Sequence, residues 1–259
     1  MTVAILEPAP VDATEQPGAD LVLNARGIDA AYGRLPVLFG IDVAVPRGTV
    51  LAVLGANGAG KTTLLAVLAG LLPATGGTVR FLGEDVTSEP AERRIRRGLA
   101  LVQGGAAVFP SLTVAENLDA GGYGALGGRQ AVAERRDEAL ELFPKLRERL
   151  GQRAGTLSGG ERQMLALAKG LLLGGELLCI DELSLGLAPV VVEELADVVD
   201  RLRHAGRTMV IVEQSIPMAL RLADDVIVLE RGRVLLQGRA AELSQDLHRL
   251  EAALLGGAS

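Results

Sequence analysis

The chain has 259 residues and a formal net charge of −6 at pH 7, which argues against a general affinity for the phosphates of DNA or RNA. Apolar residues make up 49% of it and aromatic residues only 2%, a composition typical of a parallel sheet covered by helices. The single cysteine, Cys179, excludes a disulfide framework. Because it lies in an apolar run, we expect a small core residue in a reducing compartment.

The sequence contains no run of about 18 uninterrupted apolar residues, and its first residues lack the basic region of a signal peptide. We therefore expect the chain to reach a membrane only through a partner. Residues 1–20 contain three prolines and four acidic residues but no Lys or Arg. This composition predicts a flexible tail at 1–20, followed by a single folded domain over residues 21–259.

Closely spaced runs of alternating polarity follow the tail, at residues 21–25, 30–32, 41–45 and 49–54. Breaks at Gly27, Gly33, Gly40 and residues 46–48 separate them, a pattern that predicts antiparallel strands. Tyr32 stands at the end of the second run. Its ring is a candidate for stacking on a nucleotide base, and the alternative is a half-buried strand residue.

The most specific motif starts where an apolar run over residues 50–54 ends. Residues 55–62 fit the pattern G-x-x-x-x-G-K-[ST], in which glycines let backbone N–H groups point at phosphate oxygens. In this pattern Lys61 reaches the β- and γ-phosphates, and the Thr62 hydroxyl ligates Mg²⁺. The alternative is a glycine-rich turn between a strand and a helix, but the chain uses 23 Arg and only 3 Lys, so a Lys here favours the phosphate role. The expected nucleotide-binding residues are Gly55, Asn57, Gly58, Ala59, Gly60, Lys61, Thr62 and Thr63.

Helical and extended patterns alternate after this loop. A helix is predicted over residues 61–69 and a strand over 78–82. Residues 91–97 hold four arginines, which we interpret as a solvated helix face. A strand over 99–102 then delivers Gln103 to the edge of the sheet where ligands of open α/β folds bind.

Residues 130–150 alternate acidic residues with arginine at helical spacing, which predicts a charged helix or helix pair. A second helix start follows, where Ser158 and Glu161 have the spacing of an ordinary capping box. Gly159 and Gly160 occupy its first turn at a cost of about 1 kcal/mol each relative to Ala. We therefore expect another group to approach this helix start closely, and a phosphate would suit it.

A carboxylate pair stands at the end of a later strand. The apolar run 177–180 delivers Asp181, which is placed to hold Mg²⁺, and Glu182, which is placed to orient or deprotonate an attacking water. The alternative is a helix cap or a surface loop. A further buried strand over 208–212 ends at Glu213 and Gln214.

These motifs resemble, in order and spacing, those of ATP-binding-cassette (ABC) ATPases over residues 21–255. The resemblance rests on Tyr32 and on GANGAGKTT (55–63), LSGGERQ (157–163) and LLCIDE (177–182). Four further runs look more narrowly similar to the second ATPase subunit of branched-chain amino acid importers, namely VFPSLTVAENL (108–118), ELFPKL (141–146), SLGLAP (184–189) and VEQ (212–214).

The resemblance implies an α/β fold, with a P-loop NTPase core built on a parallel sheet, an N-terminal antiparallel β subdomain, and a helical subdomain at about residues 104–172. It also implies a head-to-tail pair of ATPase subunits, as a homo- or heterodimer. Each ATP, with Mg²⁺, would lie between the phosphate loop of one chain and the helix start at Ser158, Gly159 and Gly160 of the other. The implied partners are transmembrane permease subunits and, indirectly, a substrate-binding protein, with no nucleic acid. The implied location is peripheral, on the cytoplasmic side of the cell membrane.

Individual roles follow from the same resemblance. Tyr32 would stack on adenine, Glu182 would act on the attacking water, and Gln214 would sense the γ-phosphate. Thr62, Asp181 and Gln103 would coordinate Mg²⁺, directly or through water.

Three departures from the family pattern bear on these roles. The γ-phosphate sensor is Gln214 where the wider family has His, so hydrolysis should depend mainly on Glu182. Leu183 replaces the usual Pro after the acidic pair. The segment VQGGAA (102–107) differs from the subfamily's and leaves Gln103 one place early, which bears on its role toward Mg²⁺ and on coupling to the membrane subunits.

The sequence leaves three functions open. The first is the ATPase subunit of an importer for amino acids or related amides. The second is a non-transport cassette ATPase, against which the acidic charge and the single cassette argue. The third is a regulatory cassette that binds ATP with weak or no turnover, suggested by the changed segment 102–107.

Overall fold

A computed structural model describes residues 20–103, 107–122, 129–173, 175–184, 186–248, 250 and 254. The predicted tail, except its last residue, and residues 104–106 of the changed segment lie outside these ranges. The strands are β1 (Leu21–Tyr32), β2 (Leu35–Pro46), β3 (Val50–Leu54), β4 (Gly76–Phe81), β5 (Glu84–Asp85), β6 (Leu99–Gln103), β7 (Leu177–Asp181), β8 (Met209–Glu213), β9 (Asp225–Glu230) and β10 (Arg233–Arg239). The helices are α1 (Lys61–Leu68), α2 (Ala91–Arg96), α3 (Val114–Gly122), α4 (Arg129–Leu142), α5 (Pro144–Arg147), α6 (Gly159–Leu172), α7 (Pro189–His204), α8 (Ile216–Leu222) and α9 (Ala240–Leu243).

An antiparallel sheet with the order β2-β1-β4-β5 forms from the first strands. The predicted breaks at Gly27 and Gly40 are wrong, because β1 and β2 run through both positions. Each glycine instead forms a bulge with positive φ, 59° and 62° respectively. The bulge amides are satisfied across the pair, since Gly27 donates to Asp42 at 2.7 Å and Gly40 donates to Asp29 at 2.8 Å. A bulge keeps two long strands paired while increasing their twist.

The second sheet positions the candidate site residues. Its order is β10-β9-β3-β8-β7-β6, and every neighbouring pair is parallel except β9 with β10. The carboxyl ends of parallel strands meet at one edge, and the register there places Gln103 beside Asp181 and Asp181 beside Val212. Side chains from three separate stretches of sequence are thereby brought to the same edge.

Hydrophobic side chains pack on both faces of this parallel sheet. Along β8, Met209 and Ile211 face the helices α6, α7 and α8, whereas Val210 and Val212 face α1 and the antiparallel sheet. Each such buried side chain contributes about 1.5–3 kcal/mol. The strand is buried on both faces, which explains its continuous apolar sequence.

The charged segment before the second helix start forms two helices. α4 ends at Leu142 and α5 begins at Pro144, so the predicted helix pair is present. Proline is tolerated at the first position of a helix because its missing N–H would have no partner there. α3, α4 and α5 pack against α6 through side chains of the larger hydrophobic cluster. No helix in the described part of the chain is long and apolar enough to cross a membrane.

Arg94 contradicts the interpretation of residues 91–97 as a solvated face. Its side chain is only 2% exposed. The guanidinium donates to five backbone carbonyls, those of Val67, Leu68, Val86, Thr87 and Glu89. Two of these belong to the last turn of α1, where carbonyls lack partners within the helix. Arg94 therefore joins the end of α1 to the segment that leads into α2.

Candidate nucleotide-binding site

The phosphate loop connects β3 to α1, as predicted. Gly60 has φ 105°, a conformation that side-chain-bearing residues rarely adopt. A Cβ at Gly55 would lie 2.6 Å from the Leu229 carbonyl oxygen, so that glycine is needed for close approach to β9. The hairpin between β9 and β10 also supports the loop, since Gly232 donates to the Ala59 carbonyl at 2.9 Å.

Lys61 lies inside this loop, with its side chain largely buried. Its Nζ donates to the carbonyls of Gly55 at 2.8 Å and Ala56 at 3.0 Å. Burial lowers the pKa of Lys61, while the nearby carboxylates of Glu182 and Asp181 raise it. An ammonium group carries three donors, so the same atom can hold the loop and bond a phosphate oxygen.

Thr62 and Asp181 form the candidate metal site. The Thr62 Oγ1, in the first turn of α1, donates a hydrogen bond at 3.4 Å to Oδ1 of Asp181, the last residue of β7. Burial raises the pKa of Asp181, and the Thr62 hydrogen bond and the Lys61 charge act in the opposite direction. Gln103 is the register partner of Asp181 on the neighbouring strand.

The donor set of this site fits Mg²⁺. Hydroxyl, carboxylate and amide oxygens are hard ligands, and Mg²⁺ is commonly held by one or two protein groups together with substrate phosphates. The described residues contain no group of three or more His, Cys, Asp and Glu that could hold a metal by themselves.

Glu182 is held from three sides. Its backbone has φ 57°, and its N–H donates to the Val212 carbonyl at 3.1 Å. Its own carbonyl accepts a hydrogen bond from Gln163 Nε2 at 3.2 Å. Its carboxylate accepts a short hydrogen bond from Gln214 Nε2, at 2.6 Å. The two residues predicted to act on the water and to sense the γ-phosphate therefore touch each other.

The second helix start, residues 158–160, is called the α6 tip. Ser158 caps α6, because its Oγ accepts from the Glu161 N–H at 3.2 Å and Glu161 accepts from the Ser158 N–H at 2.8 Å. These bonds lower the pKa of Glu161, with the backbone bond from Ser158 the largest cause. The predicted capping box is confirmed by these contacts.

The two glycines of the α6 tip have different explanations. A Cβ on Gly160 would lie 2.4 Å from Val191 Cγ1, so packing against α7 within the same chain already requires this glycine. The expectation that an outside group explains both glycines is therefore wrong for Gly160. A Cβ on Gly159 would meet only Leu187 Cδ2, at the ordinary distance of 3.7 Å, and Gly159 is exposed. Of these two glycines, Gly159 is the one with space beside its Cα for another molecule.

Tyr32 is the last residue of β1 and is 52% exposed, so the stacking role and the alternative of a half-buried strand residue both stay open. Within the described ranges, no hydrogen bond joins Tyr32 or the α6 tip to the cluster of Lys61, Thr62 and Asp181. The chain thus brings together the phosphate loop, the metal-site residues, Glu182 and Gln214, but not all of the residues predicted to contact nucleotide.

Residues 38–184 of the chain match the ABC transporter family. The chain belongs to this family. The high-affinity branched-chain amino acid transport ATP-binding protein BraG of Pseudomonas aeruginosa is 41% identical to this ABC protein over 236 residues, which cover 91% of the chain and 100% of BraG. The probable branched-chain amino acid transport ATP-binding protein LivF of Archaeoglobus fulgidus is 39% identical over 86% of the chain and 94% of LivF.

Known structures agree with this assignment. The ADP conformation of MJ1267, an ATP-binding cassette of an ABC transporter, superimposes on the ABC protein with a TM-score of 0.79 at 25% identity, over 89% of the chain and 97% of MJ1267. The predicted ABC ATPase fold is therefore confirmed. ATP-binding proteins of ABC transporters are ATPases that bind nucleotide, so the predicted enzyme class is confirmed as well.

Sequence reasoning missed one buried acid of this ABC protein. Glu213 is 2% exposed, and its Oε2 accepts hydrogen bonds from Ser184 Oγ at 2.9 Å and from the Gln214 N–H at 3.1 Å. It thereby joins the segment after Glu182 to the end of β8, next to Gln214. The signal in the sequence is a carboxylate at the end of an otherwise apolar strand, but its partner lies 29 residues away.

Proposed function

We propose that the chain is the ATP-binding and ATP-hydrolysing subunit of an importer for branched-chain amino acids or related amides. The similarity to BraG and LivF over nearly their whole lengths supports the transported class. The observation that carries the enzymatic part is the cluster at one sheet edge, where Lys61, Thr62, Asp181, Glu182 and Gln214 come together from three stretches of sequence. In this proposal residues 21–259 are one ABC ATPase domain, with a helical subdomain at about 104–172.

The phosphate loop would bind the triphosphate. Backbone amides of residues 55–63 would cradle the phosphates, together with the positive end of the α1 dipole. Lys61 would add a charge-assisted hydrogen bond to the β- and γ-phosphates. Tyr32 would stack on adenine, because its exposed ring stands at the end of β1.

Thr62 and Asp181 would hold Mg²⁺, with Gln103 reaching it from β6. The metal ion would supply charge neutralisation on the β- and γ-phosphate oxygens. Thr62 and Asp181 already face each other across 3.4 Å, so little rearrangement of their side chains is required.

Glu182 would orient the attacking water and accept its proton. A carboxylate held by a neighbour in one rotamer is pre-organised for this step. Gln214 supplies that contact at 2.6 Å and would transfer its amide toward the γ-phosphate when nucleotide is bound. Gln214 is neutral, so the chemistry depends mainly on Glu182.

Two copies would face each other head to tail, as a homo- or heterodimer. Each ATP would lie between the phosphate loop of one copy and the α6 tip of the other. Ser158 would approach the nucleotide with its hydroxyl, and Gly159 with its backbone, since space remains around Gly159. Closure on ATP and opening after hydrolysis would drive the permease subunits on the cytoplasmic side of the membrane.

Co-purification tests the transport role. The tagged full chain is expressed in its native host, and membrane proteins that co-purify are identified by mass spectrometry. We expect permease subunits to co-purify and to raise ATP turnover when reconstituted together with a substrate-binding protein and a branched-chain amino acid. An active ATPase that retains no membrane partner would contradict the transport role while leaving the enzymatic assignment in place.

A further inference from the structure

The backbone of Glu182 adopts a conformation that needs support. Its φ of 57° lies in the left-handed region, which residues with a side chain other than Asn or Asp seldom occupy. Such a conformation persists only where the surrounding structure holds it in place. The backbone at this position determines where the Glu182 carboxylate points.

Gln163 supplies one of the contacts that hold this backbone. Its side chain is only 5% exposed, and its Nε2 donates to the Glu182 carbonyl at 3.2 Å. The other backbone contact is the bond from the Glu182 N–H to the Val212 carbonyl, whereas Gln214 contacts the Glu182 carboxylate. Gln163 holds Glu182 from α6, an element on a different part of the chain.

The first turns of α6 pack closely on the segment that follows Glu182. Gly160 lies against Val191 so tightly that a Cβ would overlap it, and Gly159 faces Leu187. Gln163 is one turn further along the same helix. The α6 tip and the backbone of Glu182 are therefore joined by packing and by a partly buried hydrogen bond.

We propose that Gln163 is a positioning residue for Glu182: its amide holds the backbone that aims the carboxylate at the water, and it links that backbone to the α6 tip of the same subunit. This inference rests on the proposed function, because the α6 tip would meet the nucleotide held by the partner copy. When the α6 tip of one subunit binds the ATP held by its partner, Glu182 of the same subunit would favour its active orientation toward the other ATP. The two nucleotide sites would be coupled through one side chain.

Steady-state ATP hydrolysis by the full-length Gln163→Met variant tests the proposal. Methionine has nearly the same length and shape as glutamine but donates no hydrogen bond. We expect kcat to fall by about three- to tenfold, the factor that corresponds to the loss of one hydrogen bond, while KM for ATP stays within about twofold of the wild-type value. KM for ATP should stay the same because the Gln163 side chain is buried and would not reach the nucleotide.

Met164→Ala provides the matched control. It truncates a buried side chain on the same helix that has no amide to donate to Glu182, so the melting temperature should fall while kcat of the folded protein stays unchanged. A second measurement places Gln163→Met in a Glu182→Gln background. Dimer formation with ATP should persist there, because the α6 tip itself is intact.

An unchanged kcat in Gln163→Met would overturn the inference, as would an equal loss in Met164→Ala. A raised KM together with loss of the ATP-dependent dimer would overturn it too, since Gln163 would then act at the α6 tip and not on Glu182. Failure of the proposed function has a different result. In that case the wild-type protein itself would show no Mg²⁺-dependent hydrolysis, and both ideas would fall.

Discussion

Gly160→Ala is the substitution whose effect follows most directly from the packing of the α6 tip. The added Cβ would lie 2.4 Å from Val191 Cγ1 and 3.0 Å from Cγ2. Valine cannot readily turn away, because a β-branched side chain has few accessible rotamers. Overpacking of this kind costs about 1–3 kcal/mol, and the better helix propensity of Ala returns at most about 1 kcal/mol.

We therefore expect Gly160→Ala to lower the free energy of unfolding by about 1–2 kcal/mol in urea titrations. Gly159→Ala is the control. Its Cβ would meet its nearest neighbour at 3.7 Å, so stability should stay the same or rise by up to about 1 kcal/mol. Adding Val191→Ala to Gly160→Ala should restore most of the loss, because the two side chains would no longer overlap.

Equal stability of the two glycine variants would refute this reasoning, and so would a Val191→Ala effect that merely adds to that of Gly160→Ala. The ATPase assay supplies the complementary result. Under the proposed dimer, Gly159→Ala should lose hydrolysis while remaining fully stable, because its new methyl group would stand where the partner's nucleotide approaches.

Three further predictions concern the site and its support. Lys61→Ala should weaken ATP binding by roughly 30-fold or more, the factor for losing a charge-assisted hydrogen bond. Glu182→Gln should keep ATP binding and lower turnover by about 10²- to 10⁴-fold. Equilibrium binding of ATP and the rate of phosphate release distinguish the two effects, and undiminished hydrolysis in Glu182→Gln would show that Glu182 does not act on the water. Arg94→Met should lower the free energy of unfolding by at least about 3 kcal/mol because five carbonyls lose their donor. Arg96 is exposed, so Arg96→Met should change this free energy by less than about 0.5 kcal/mol. Similar losses in the two variants would contradict the contacts of Arg94. Burial raises the pKa of Cys179 to about 12 from an ordinary 9.0, so the unfolded chain ionises first and stability should fall as the pH rises above 9. Between pH 8 and pH 10 the free energy of unfolding should fall by about 1 kcal/mol less in Cys179→Ala than in the wild-type protein. Equal decreases in the two proteins would mean that the Cys179 thiol is not shielded from water in the folded state.

Features carried by contiguous residues could be predicted from the sequence. The phosphate loop, the carboxylate pair and the Ser158 capping box each lie within a few residues, and their chemistry depends on local spacing. The parallel strands were recognisable because burial on both faces demands continuous apolar runs. The residues that these strands deliver to the sheet edge followed from the same pattern, as the register of Gln103 and Asp181 illustrates.

Features that depend on distant packing could not be predicted. Arg93, Arg94 and Arg96 look alike in sequence, and only the position of α1 determines that Arg94 is buried among carbonyls. The Gln163 amide meets a carbonyl 19 residues away, at a residue whose left-handed backbone no local pattern indicates. The sequence predicted that an outside group approaches Gly160, because it does not show that Val191 of α7 packs against this glycine.

The central claim is that two copies share each nucleotide, and cysteine cross-linking measures this directly. Asn57 in the phosphate loop and Thr156 beside the α6 tip are both exposed, and the native Cys179 is buried, so Asn57→Cys and Thr156→Cys would provide the reactive thiols. In a Glu182→Gln background treated with a short bifunctional maleimide, we predict cross-linked dimers that form only with ATP and Mg²⁺. Cross-links confined within single chains, or dimers that form equally without ATP, would contradict the account.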